Sequence, residues 1–236
     1  MKIRKHSVIP VLIIVFTLFS SCSQKTETDW SVYELKGKVK KYVERNYEPE
    51  TKFGEWYAGE QYEYGNHSVA FDSNGNYTKI DFINEKNELR KRTIPKRENG
   101  KVIEEFKYDE DGQLEKVAKC KYLSDSKVEY ILYDEDGKEV GSGKTFLENG
   151  RISRRDYKEF SDGKTIFEIR MKFKHNEDGL VSALEQTDED GNVENYRYEY
   201  LEFDDQNNWT KRLNYNVDDS KMPERLVIRN YDYYEN

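Results

Sequence analysis

The amino-acid sequence predicts an all-β protein: an antiparallel meander of repeated hairpins, about a dozen to fourteen strands in a twisted open sheet, a spiral or a partly closed barrel. Three observations carry this expectation. Clusters of Asp, Asn and Gly recur at short intervals, the runs between them alternate aromatic or β-branched residues with charged ones, and no proline falls between Pro95 and Pro223.

The turns come first. The clusters read FDSNG at 71–75, RENG at 97–100, YDEDG at 108–112 and again at 133–137, LENG at 147–150, FSDG at 160–163, HNEDG at 175–179 and TDEDG at 187–191. From position 100 the glycines are spaced by 12, 25, 13, 13, 16 and 12 residues, the doubled interval falling where Ser126 takes a glycine-like position. Asn87 and Asn208 are expected to supply the same φ > 0 residue, because Asn tolerates that region better than most. Asp-x-Asp-Gly after a strand suits a type I turn followed by a left-handed residue, which reverses the chain in three or four residues with a glycine bulge.

The strands fit between them. Thr165, Phe167, Ile169, Met171 and Phe173 share one face while Glu168, Arg170 and Lys172 point away. Tyr196, Tyr198 and Tyr200 alternate with Arg197 and Glu199, and Trp209, Leu213 and Tyr215 with Thr210, Arg212 and Asn214. The proline-free block is what an uninterrupted ladder requires. With 35% apolar residues, one face of the sheet is expected to be solvated. Ahead of the first strand, Asp29 to Leu35 predicts one or two helical turns with Asp29 as cap, ended by Gly37.

The first 21 residues differ in kind. Lys2, Arg4 and Lys5 precede an apolar run from Val8 to Phe19, and small residues Ser20 and Ser21 precede Cys22. This is the three-part pattern of a secretory leader, too short to span a bilayer, which takes about 20 helical residues. Leu18 to Cys22 resembles a bacterial lipobox, with Phe19 where Leu is commonest. The resemblance implies cleavage before Cys22, diacylation of its thiol and a lipid anchor in a membrane. Ser23, in place of Asp, disfavours inner-membrane retention, and the polar stretch Gln24–Asp29 resembles the export signals of surface lipoproteins in Bacteroides-like bacteria. The expected organisation is a leader at 1–21, a lipidated flexible tether at 22–29 and one β domain at 30–236, in the cell envelope and on the outer membrane.

Composition narrows the function. Without the leader the chain carries 36 basic and 47 acidic residues, a net charge of −11, and such a surface repels nucleic-acid backbones. Once Cys22 is set aside, Cys120 is the one remaining cysteine, so packing and hydrogen bonds must hold the domain together.

The Tyr-Asp-x-x-Gly turn with an aromatic residue two positions earlier, as in Phe106-Lys107-Tyr108-Asp109-Glu110-Asp111-Gly112, resembles the YD repeat of Rhs-type bacterial proteins. The opening Leu35-Lys36-Gly37-Lys38-Val39, the closing Asn208-Trp209-Thr210-Lys211-Arg212 and Arg229-Asn230-Tyr231 resemble the short Rhs-repeat lipoproteins of Bacteroides relatives. The resemblance implies hairpin architecture and no particular activity.

Candidate chemistry is sparse. Gly141-Ser142-Gly143-Lys144-Thr145 looks like a phosphate loop, but Lys138 stands where the motif needs its first glycine and no helix follows. The DxDG turns miss the first ligand of a calcium loop, leaving isolated sites between stacked turns as the alternative. His67 and His175 have no metal spacing and read as surface turn residues. No cofactor or metal is expected, and no enzyme activity. The aromatic residues are the main candidates: 19 Tyr, 11 Phe and 3 Trp, chiefly a core face, with Trp56, Tyr57, Tyr196, Tyr198, Tyr200 and Trp209 as candidates for stacking on a ligand. The expected function is an envelope binding or scaffolding module for a glycan or a protein. The alternatives are assembly through edge strands and, last, a hydrolase using two carboxylates.

Overall fold

The computed structural model describes residues 28–218 and 222–235. The leader, Cys22 and most of the expected tether lie outside the described residues. A single helical turn, α1 (Asp29–Val32), precedes β1 (Val39–Lys52), β2 (Glu55–Gln61), β3 (Asn66–Phe71), β4 (Tyr77–Ile83), β5 (Leu89–Glu98), β6 (Lys101–Tyr108), β7 (Leu114–Ser124) and β8 (Lys127–Asp134). Then come β9 (Glu139–Glu148), β10 (Arg151–Ser161), β11 (Lys164–His175), β12 (Val181–Asp188), β13 (Val193–Phe203), β14 (Trp209–Asn216) and β15 (Arg225–Tyr233).

From β3 to β15 each strand pairs antiparallel with the next, and β15 returns to pair with β1. Val43 faces Asn230 of β15 on one side and Ser68 of β3 on the other. Tyr47 likewise faces Leu226 of β15 and Gln61 of β2. Thus β2 and β3 run along the same edge of β1 as one interrupted stave, and the sheet is a closed 14-strand barrel. Closure goes further than the partly closed barrel the sequence allowed, and it satisfies the backbone edges that an open meander exposes. Pro95 sits beyond the part of β5 that pairs with β4, opposite Glu105 of β6.

The turns explain the repetition. At Asp72, Asn84, Asp109, Asp134, Asn176, Asp188 and Asp204 the side-chain Oδ1 accepts the backbone N–H four residues on, at 2.8–2.9 Å. The backbone closes the same loop, with the N–H of residue i donating to the carbonyl of i+4 and that of i+3 donating back to i. Residue i+3 is left-handed each time: Gly75, Asn87, Gly112, Gly137, Gly179, Gly191 and Asn207. Asn87 therefore does what was expected. The last loop uses Asn207 instead of Asn208, whose amide is taken by Lys36. Neither Asp125 nor Ser126 has positive φ, so Ser126 is no glycine substitute. Asn99-Gly100, Asn149-Gly150 and Asp162-Gly163 have both residues left-handed, the twist that two-residue hairpins require.

Inside and outside follow from strand parity. Tyr42, Glu44 and Asn46 of β1 are buried in the lumen while Lys41, Val43 and Arg45 face out. One expected face is corrected: Trp209 packs inward with Leu180 and Val227, whereas Leu213 and Tyr215 pack outward with Leu226, Tyr47, Trp56 and Leu201. The register shifts of β13 against β14 turn that strand over between them.

Elsewhere the outer wall is a ladder of cross-strand ion pairs. Arg92–Asp81, Lys96–Glu104, Lys144–Glu129, Lys158–Glu168 and Lys172–Glu185 each join residues directly opposite one another. Such exposed pairs are screened by solvent and add little to stability.

Candidate functional site: an aromatic lumen

The lumen has two halves. Where β12 to β15 meet β1 it is packed solid around a buried ion pair. Arg229 Nε donates to Glu44 at 2.7 Å, and the guanidinium lies 4.1 Å from the Trp209 ring and 4.5 Å from Tyr42. Arg212 lies 4.6 Å from both Trp209 and Tyr198. Burial opposes ionisation of Glu44, but Arg229, His67, Arg212 and the hydrogen bond from Arg229 outweigh it and bring its pKa to about 2. Arg229 Nη1 and Trp209 Nε1 are buried with no hydrogen-bond partner among the described residues.

The other half, along β4 to β11, is a cavity of about 690 Å³. Its wall mixes apolar side chains, such as Val102, Ala118, Leu132, Ile152 and Met171, with phenols. Tyr77 donates to Glu105 and Tyr157 to Glu159, each at 2.5 Å, so each of these two cavity carboxylates holds a phenol. Tyr130, Gly143 and Tyr157 stand in register on β8, β9 and β10. A Cβ at Gly143 would lie 2.3 Å from the Tyr130 ring. The missing side chain lets the two rings converge over β9, near-parallel at 21° with centroids 6.5 Å apart. This is the structural reason for the glycines that imitate a phosphate loop.

α1 stands at one end of the cavity. Asp29 does not cap it; Thr28 holds the cap position without a side-chain bond. Asp29 instead accepts the Tyr77 N–H at 2.8 Å and pairs with Arg97, at the junction of the expected tether and the domain. Trp30 donates to Val39 O at 2.8 Å and covers Gly75, where a Cβ would fall 2.6 Å from its ring. Tyr33 projects among Tyr42, Phe71 and Tyr77. The helical turn and the segment after it are thereby fixed as one end wall.

The aromatic candidates do not converge. Trp209 is 1% exposed in the packed half, with Tyr200 against it, and Tyr198 lies under Arg212. Tyr196 donates to Glu194. Trp56 and Tyr57 sit on β2, which folds over the outer wall: Trp56 packs on the Leu213–Leu226 cluster and Tyr57 lies 6.0 Å from Lys211. Tyr77, Tyr130 and Tyr157, which strand parity could have proposed, line the cavity instead, together with Tyr33 at the end of α1.

The histidine expectation is corrected as well. His67 is on β3, within 3.2 Å of the Tyr42 hydroxyl, and His175 ends β11 with Glu34 at 3.8 Å, so neither is a surface turn residue. Burial, with Glu105 adding to it against the opposing charge of Lys107, pushes the Cys120 thiol up to about 12, so it keeps its proton near neutral pH. Among the described residues no group of three His, Cys, Asp or Glu is placed to hold a metal ion.

Fold and site together define a closed β-barrel with a partly filled aromatic lumen and a charged outer wall. No family model matches the chain, and no curated protein matches it. Among solved structures it is similar to a porin-like protein from Bacteroides uniformis, 12% identical, TM-score 0.46, covering 82% of this chain and 98% of that one. It is also similar to a porin-like protein from Bacteroides vulgatus, 11% identical, TM-score 0.47, with the same coverage. The Rhs/YD-repeat resemblance and the lipoprotein class attached to it are corrected: the neighbours are porin-like, and nothing points to a YD-repeat protein. The motif recurs because Asp-x-x-Gly closes a hairpin through one side-chain oxygen, a local solution open to any β meander.

Proposed function

We propose that this chain is an exported cell-envelope binding protein that encloses a small ligand in the lumen of a water-facing barrel. The carrying observation is the polarity of its wall. A bilayer-spanning barrel shows an apolar band outward, where each Lys or Arg at mid-depth costs about 2–4 kcal/mol. Here paired charges occupy the outer face of β4–β6 and β8–β12, and aromatic residues occupy the inside. The cavity volume of about 690 Å³ suits a drug-sized molecule. The leader pattern at 1–21 supports export. The strand-pairing alternative is weakened, since β15 pairs with β1 and the ring of strands closes.

Filling the cavity tests the reading. Ala118→Phe places a ring at a buried lumen position that is 2% exposed. The variant should lose binding of 1-anilinonaphthalene-8-sulfonate while its far-ultraviolet circular dichroism is unchanged. Dye binding indifferent to the substitution, or ion conductance across planar bilayers by the parent chain, would overturn it.

A further inference from the structure

Resting on that reading, we propose that the lumen is selective for planar aromatic carboxylates, with Arg155 as the anchor of the carboxylate and the Tyr130–Tyr157 pair as the surface for the ring. Arg155 lines the cavity from β10 and makes no hydrogen bond or ion pair with any described residue, whereas its outward neighbour Arg154 is paired with Asp156 at 2.5 Å. The residues in register with it, Thr145 on β9 and Met171 on β11, are uncharged, as are Tyr122 and Val128, the next pair in the same row. The nearest lumen carboxylate on its own strand is Glu159, four residues on, about 13 Å along β10 at 3.3 Å per residue, and it is held by Tyr157.

Arg155 is exposed to the open cavity with no carboxylate in its row, so its guanidinium is free to take a carboxylate supplied with the ligand, through two parallel N–H···O bonds. Tyr130 and Tyr157 are two residues from Arg155 along the inward rows, so a ring attached directly to that carboxylate reaches them. A sugar acid would need several polar partners for its hydroxyls. Around Arg155 the wall offers Val128, Ile152 and Met171, with Thr145 and the phenols as the hydroxyl-bearing neighbours.

The test compares 2-naphthoate, 2-naphthalenemethanol and glucuronate by calorimetry on the parent chain and on Arg155→Gln, with Arg154→Gln as the outward control. The expected result is at least tenfold tighter binding of naphthoate than of the alcohol, lost in Arg155→Gln and kept in Arg154→Gln. The alcohol should bind both parent and Arg155→Gln alike. Equal binding of acid and alcohol by the parent would overturn the anchor and leave the lumen reading standing. Preference for glucuronate would overturn the aromatic class, and failure of all three to bind a folded parent would sink both readings.

Discussion

Glu44 and Arg229 place two full charges in the packed half of the lumen, held by each other and by the faces of Trp209 and Tyr42. Glu44→Gln leaves a buried guanidinium without its counter-charge and should cost about 3–5 kcal/mol at pH 7, measured by urea unfolding. The pair also predicts an acid response. The Glu44 carboxyl has a lower pKa folded than unfolded, so the stability it brings is complete above about pH 4.5 and is lost as pH falls towards 2. Melting temperatures between pH 5 and 2.5 should fall in the parent, and less steeply in Glu44→Gln. In the sequence Glu44 is one of 47 acidic residues, and nothing local marks it. Its partner lies 185 residues away, brought alongside only when β15 meets β1.

At the scale of the element, the hairpin turns were legible and the sheet faces mostly so. An Asx oxygen and a left-handed residue three positions later act within five residues, so their spacing shows in the sequence. Asp109→Ala removes the acceptor for the N–H groups of Asp111 and Gln113 and should lower stability by about 1–2 kcal/mol. Asp109→Asn keeps Oδ1 and should cost far less; thermal melts of the two variants distinguish this account from a general effect of charge. Two glycines separate local from tertiary causes. Gly112 has φ +80 and open space around its Cβ position, so Gly112→Ala should cost about 1 kcal/mol from backbone strain alone. Gly143→Ala has no positive φ to contend with but drives a methyl into Tyr130 and the Asp156 carbonyl, and overpacking there should cost about 1–3 kcal/mol. Only Gly143→Ala should also disturb naphthoate binding. The reversal of Trp209 against Leu213 was not legible, because a register irregularity changes parity without leaving a residue-type signal.

For the whole molecule, closure decides both stability and surface. Ending the chain at Glu224 removes β15 and exposes the edges of β1 and β14 together, with Leu213 and Val43 left beside unpaired backbone. Such a truncation should fail to give a monomer by size-exclusion chromatography and should aggregate instead. The intact barrel, with its outer charge ladder, should stay in the supernatant when mixed with phosphatidylcholine vesicles in the absence of any attached lipid. Sedimentation with the vesicles would show that the outer wall meets lipid.

The order of the strands, their direction and the chemistry of their turns were set by the sequence itself, since each depends on residues within one hairpin. Whether the sheet closes, which half of the lumen fills and which row of the cavity Arg155 enters were decided by the tertiary structure. Those outcomes depend on the cumulative twist and register of every strand, and on contacts such as Asn208 with Lys36 that join positions 172 residues apart. No local pattern encodes a sum taken around the whole ring.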